Sequence, residues 1–358
     1  MADDAKAVSG TYEAGLKGAA EKVAEFHEDT SALKKLQHWL HQTPSAVPLI
    51  VLVAALILFG LAADNFFKAA TLSTILQQIA IVGILGCAQT IVVLTAGIDL
   101  SVGAIAVFSS VLMGQMTFRY GIPAPAAIAI GLALGTAMGA LNGFLIARLR
   151  LPPFIVTLGT WQILLASNFI YSRNETIRSS DISEQAPALR FWGNAIEPGG
   201  VKVLYAVFLM IALVAVMAYV LRHTAWGRHV YATGDDPEAA ALAGVPTRRV
   251  LIQVYALAGL FCAIAGWGMI GRFGSVSPTA PTGQLGNIQS ITAVVIGGIS
   301  LFGGRGSIVG MFFGALIVGV FEMGLRLVGT DPQWTFFLIG ALIIFAVAVD
   351  QWIRKVSS

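Results

Sequence analysis

Apolar residues in this chain fall in long, nearly uncharged runs, separated by short stretches that hold proline, glycine or charge. The runs cover 46–64, 72–96, 101–118, 122–148, 154–171, 203–222, 249–271, 289–303, 306–328 and 333–350. Most match the roughly 17–25 apolar residues that a helix needs to cross about 30 Å of hydrocarbon. The pattern predicts an all-α integral membrane protein with about ten transmembrane helices in one permease-sized domain, 46–358. Residues 1–45 are polar and lack the early apolar core of a cleavable signal peptide, so they are expected to form a cytoplasmic tail. Within the tail, Leu33, Leu36, Trp39 and Leu40 recur at helical spacing, as in a short helix lying on the inner membrane surface.

Ten spans with an internal N-terminus return the C-terminus to the cytoplasm, and basic residues test that orientation. Fourteen of them then lie inside: Lys6, Lys17, Lys22, Lys34, Lys35, Arg148, Arg150, Arg222, Arg228, Arg248, Arg249, Arg305, Arg354 and Lys355. Eight lie outside, and four of those belong to the long 172–202 loop. The bias favours both termini inside.

Composition agrees with the pattern: 56% of residues are hydrophobic and 11% charged, against about 25% charged in a soluble domain. The net charge of +3 is spread over tails and loops without a basic block, which argues against a nucleic-acid partner. Cys87 and Cys262 both lie within apolar runs and read as small buried hydrophobes, not a disulfide.

Glycines punctuate the fourth run at Gly131, Gly135, Gly139 and Gly143, a strict four-residue repeat that bares one helix face for close packing. Gly310 and Gly314 do the same in the ninth. Two further glycine-rich stretches interrupt apolar sequence, Thr95–Gly103 and Ile296–Gly304. At an offset of 201 they share Gly97/Gly298, Ile98/Ile299, Leu100/Leu301 and Gly103/Gly304, a short internal similarity. Asp99 or Ser101 can cap the helix that follows the first break. Irregular backbone at membrane depth also belongs where it lines a wet cavity, so a pathway role stays open.

Chemistry of other kinds has no sequence support. The five histidines fall in the tail or in the loop after the sixth run, which leaves no intramembrane proton relay. The phosphate-cradling, zinc and nucleophilic-serine spacings are missing, so no catalytic residue, metal or cofactor is expected. Gly303-Gly-Arg-Gly-Ser307 lacks a lysine and reads as a tight inter-helix turn. Glu322 and Arg326, four apart, are expected to neutralise each other. The loop after the sixth run carries a helix signal of its own: Asp236 as cap, Pro237 at the first position, Glu238 at the positive end, an alanine run through Ala239 and Ala240, and Gly244 as stop. Its small, smooth face suits the groove of another protein, flanked by charge from Arg228, Asp235, Asp236, Arg248 and Arg249.

From residue 46 to the C-terminus the chain resembles the bacterial permeases of ATP-binding-cassette importers for ribose, galactose, xylose and fructose. The stretches that carry the resemblance are Gly97-Ile-Asp-Leu-Ser-Val-Gly103, Leu151-Pro-Pro-Phe-Ile-Val-Thr-Leu-Gly159, Gly234-Asp-Asp-Pro-Glu-Ala-Ala-Ala-Leu-Ala-Gly244 and Ile291–Ser307. The second and fourth are most similar to fructose-type members. The resemblance implies a type II importer fold in the inner membrane and a homodimer with one pathway between its copies. It also implies a cytoplasmic cassette ATPase, a periplasmic sugar-binding protein and a coupling helix over Asp236–Gly244. Many members carry acidic residues where this chain has Asn287 and Gln289. Polar, uncharged residues able to face a neutral, hydroxyl-rich monosaccharide include Gln78, Thr95, Thr157, Asn287, Gln289 and Thr292, with Asp99 and Ser101 in the break. The expectation is a transport subunit driven by a separate ATPase. A self-sufficient secondary sugar transporter or channel is the alternative.

Overall fold

The computed structural model describes residues 46–279 and 282–354. The expected tail helix lies outside the described residues. Each of the ten apolar runs falls on a helix: α1 (Ala46–Ala62), α2 (Ala69–Leu94), α3 (Val102–Phe118), α4 (Ala124–Leu149), α5 (Pro153–Ser172), α7 (Tyr205–His223), α10 (Thr247–Phe273), α11 (Thr282–Ile296), α12 (Ile308–Leu327) and α13 (Pro332–Arg354). Between α5 and α7 stand a short helix α6 (Ser179–Gln185), a 3-10 turn (Pro187–Gly193) and a two-stranded hairpin, β1 (Ala195–Ile196) with β2 (Val203–Leu204). Between α7 and α10 stand α8 (Ala225–Asp235) and α9 (Pro237–Leu242).

Six of these helices, α2, α4, α5, α7, α10 and α12, are long and apolar enough to cross a membrane, while α1, α3 and Leu285–Ile296 of α11 are shorter apolar helices. The eighth run is displaced from its expected place. The helix there begins at Thr282 and stops at Ile296 rather than covering 289–303, because Gly298 turns left-handed at φ 75°. Hydropathy reads on through such a stop, since the glycines lie within an apolar stretch.

The core is built around α2 and α10. Nineteen of the 26 residues of α2 are buried, so it runs through the interior and not along its surface. The most extensive pairing is between α4 and α10, and glycine makes it possible. A Cβ at Gly135 would stand 2.6 Å from that of Ala263, one at Gly143 would stand 2.8 Å from the Ile252 Cα, and one at Gly139 would fall on the carbonyl oxygen of Tyr255. Gly131, at the N-terminal end of the same stripe, meets Met113 of α3 instead. Gly314 of α12 meets Ala293 of α11 in the same manner. Cys87 and Cys262 are free and buried.

Candidate functional site

Where α2 ends, the chain turns at Ala96, which takes the left-handed φ of 58° usually left to glycine. Asp99, 1% exposed, accepts from both the backbone nitrogen of Ser101 (2.7 Å) and its Oγ (2.6 Å). The Ser101 hydroxyl is therefore spent on Asp99 and does not cap α3. That cap comes from across the structure: Asn287 Oδ1 on α11 accepts from Gly103 N at 2.6 Å, and Asn287 Nδ2 donates to the Leu100 carbonyl. Thr157 of α5 accepts from Leu100 N at 3.1 Å, and Asn142 of α4 links Ser101 Oγ (3.0 Å) to Thr160 (2.6 Å). The break is thus tied to three other helices by hydrogen bonds.

The second break ends its helix as the first does. Gly97 N bonds back to Val92 O at 3.1 Å, and Ile299 N to Val294 O at 3.2 Å, each closing a turn through one left-handed residue. The two endings correspond at an offset one greater than the sequence match. They also touch, since Gly304 N donates to Leu94 O at 3.0 Å.

Against this junction sits the C-terminal end of α8. A Cβ at Gly234 would fall on Leu94 O and 2.8 Å from Gly304 N; one at Gly303 would stand 2.8 Å from the Ala96 Cβ. Tyr231 Oη donates to Gly306 O at 2.9 Å, and burial pushes that phenol's pKa up, so it stays a donor. Trp226 Nε1 donates to Gln253 of α10 at 3.0 Å. Asp236 then caps α9 by accepting from Glu238 N and Ala239 N, both at 2.9 Å. Arg228, Asp235, Asp236, Pro237, Glu238, Ala239 and Gly244 are exposed, whereas Ala240 is buried. Leu242 is 91% exposed on this six-residue helix.

A third cluster lies between α2, α11 and α12. The expected Glu322–Arg326 pair does not form. One carboxylate oxygen of Glu322 accepts from Gln78 Nε2 and from Gln289 Nε2, the latter at 3.0 Å. The other oxygen, and the Arg326 guanidinium, have no hydrogen-bond or ion-pair partner among the described residues. Both residues line a cavity of about 270 Å³.

The remaining polar candidates turn inward on their own helices: Thr95 donates to Val92 O at 2.8 Å and Thr292 to Ile288 O at 2.7 Å. Sequence reasoning missed Asn142, Tyr231 and the packing role of Gly234.

Comparison with known proteins sets this arrangement among transport subunits. The profile of a family described as the permease component of branched-chain amino acid transport systems matches residues 71–347. The chain is 63% identical to the fructose import permease protein FrcC of Rhizobium meliloti, over 97% of this chain and 96% of that one. It is 35% identical to the ribose import permease protein RbsC of Escherichia coli K12 (87% and 94% covered) and 32% identical to the galactose/methyl galactoside import permease protein MglC of the same strain (90% and 98%). No solved structure matches. With a profile match over most of its length and relatives aligned nearly end to end, the chain belongs to this permease-component family and is a multi-pass protein of the inner membrane.

Proposed function

We propose that this chain is the monosaccharide-conducting subunit of an ATP-driven importer, of fructose type, working as two copies with a separate cytoplasmic cassette ATPase and a periplasmic sugar-binding protein. In this reading all ten apolar helices reach across the bilayer and both termini face the cytoplasm. That places α8 and α9 on the ATPase side, together with Arg228, Arg248 and Arg249.

The observation that carries the reading is the seat of α8. A capped helix that exposes Leu242 is rooted, through Gly234, on the backbone of both helix breaks at once. A push or pull delivered to α9 then reaches the end of α2 and the loop before α12 without passing through flexible side chains. Bare backbone contact transmits displacement because no rotamer can absorb it. Identity to a fructose permease across the whole length supports the sugar class.

The test is reconstitution of the chain in vesicles with and without the ATPase and binding protein. Fructose accumulation should require both partners and ATP. Accumulation against a gradient by the chain alone would sink the importer reading in favour of a secondary transporter. For the coupling helix, Glu238→Arg and Leu242→Arg should abolish ATPase stimulation while the permease stays inserted. Both side chains point outward, so the changes act on the docking surface and leave the core intact. Ala240 is buried and serves this purpose poorly.

A further inference from the structure

We infer that the cavity lined by α11, α12 and the start of α13 holds the transported monosaccharide in the outer part of the pathway, with Glu322 as its principal hydroxyl acceptor. The inference rests on the importer reading, which puts the C-terminal end of α12 on the periplasmic side.

Only one oxygen of Glu322 is spent on structure. An i,i+4 pair with Arg326 was available on the same helix face, yet the carboxylate is turned toward α2 and α11, where Gln78 and Gln289 both donate to one of its oxygens. Two amides on one oxygen fix the plane of the carboxylate and leave the second oxygen with its lone pairs unused. The guanidinium of Arg326, one turn on, is likewise unpaired and borders the same cavity. The site therefore offers a fixed acceptor and an uncommitted donor on one cavity wall, the pairing that adjacent hydroxyls need, since each hydroxyl both donates and accepts.

The rest of the wall suits the rest of a sugar. Ile288 and Phe336, 53% and 61% exposed, present apolar surface to the same space, and an aromatic face accommodates the C–H side of a ring. A volume of about 270 Å³ is near the lower end of ligand sites, which begin at roughly 300 Å³, and so fits one small ring and not a disaccharide. Arg326 on the cavity wall and Arg272 at the end of α10, which also interacts electrostatically with Glu322, keep this carboxylate ionised and ready to accept.

The assignment is tested in the whole complex, permease with ATPase and binding protein in proteoliposomes, carrying wild-type, Glu322→Gln or Glu322→Ala permease. Uptake of fructose and of its monodeoxy derivatives is measured beside ATP hydrolysis stimulated by the loaded binding protein. Glu322→Gln keeps an oxygen for Gln78 and Gln289 but removes the charge. It should lower fructose uptake by about tenfold to a hundredfold, the span of one charged hydrogen bond, and leave stimulated hydrolysis unchanged. For the derivative lacking the contacted hydroxyl, wild type and Glu322→Gln should carry sugar at equal rates. Undiminished fructose uptake in both variants overturns the site, and so does a loss equal for every derivative or matched by lost hydrolysis, which marks a structural role. The two readings fail separately: wild-type uptake that needs no ATPase sinks the importer, while the deoxy-sugar pattern still decides the site.

Discussion

Asn287, from outside the first break, makes two of the hydrogen bonds that hold it. A helix start leaves its first amide groups without intrahelical partners, and a local Ser or Asp is the usual remedy. Here Ser101 and Asp99 are bound to each other, so the Gly103 amide is left to Asn287 on a helix far along the chain. The same side chain answers the Leu100 carbonyl. Asn287→Ala would strand the buried Gly103 amide and the partly buried Leu100 carbonyl and should cost about 2 kcal/mol, read as a lowered thermal midpoint in detergent. Asn287→Asp keeps the acceptor at the positive end of α3 but loses the donor, so it should cost less. A midpoint for Asn287→Ala equal to wild type would refute the cap. The sequence exposes Asn287 as polar in an apolar neighbourhood. It cannot expose the partner, because the residues that would have supplied a local cap are of the right type and in the right place.

At the scale of elements, helix existence was legible and helix contact only in part. Nearly uncharged runs of membrane length locate every long helix among the described residues, because nothing but a self-satisfied backbone is stable in hydrocarbon. What hydropathy does not register is a backbone stop made of apolar-compatible residues, hence the displaced α11. The glycine repeat of α4 announced a bare face. Which helix meets it, and that Gly131 finds α3 where the next three find α10, depends on tertiary arrangement. Glycines of equal appearance then differ in energy. Gly139→Ala should drive its methyl into the Tyr255 carbonyl and destabilise by roughly 1–3 kcal/mol, the usual range for overpacking. Gly268, on α10, has nothing within 4 Å of where a Cβ would lie. Gly268→Ala should be neutral or stabilise by about 0.5–1 kcal/mol through helix propensity. Unfolding of the two variants in one detergent gives the comparison, and equal shifts would refute the close approach of α4 and α10.

For the molecule as a whole, the proposed importer reading raises the question of how a force applied at α9 would reach the part of the chain that opens. The capped loop was visible in sequence as Asp236 to Gly244, and the two breaks as glycine clusters, but their meeting was not, since it joins three segments by backbone alone and backbone carries no residue code. In the structure Leu94, Gly234 and Gly304 come together with no side chain between them. If that contact is the transmission point, adding one methyl there should separate hydrolysis from transport without touching the docking surface. Gly234→Ala places its Cβ on Leu94 O and must push α8 away from the breaks. The exposed face of α9 is unaltered, so the ATPase should still bind and still hydrolyse ATP in response to the loaded binding protein. Sugar moved per ATP should fall by about tenfold, within the range of typical coupling free energies. Simultaneous flux and hydrolysis measurements in proteoliposomes read that ratio directly. Retention of the wild-type ratio would mean that the stroke travels another way, with the Trp226–Gln253 link into α10 the next candidate. Loss of ATPase binding would instead mean that α8 and α9 move as one piece and that the contact at Gly234 serves to present the docking helix rather than to transmit its motion.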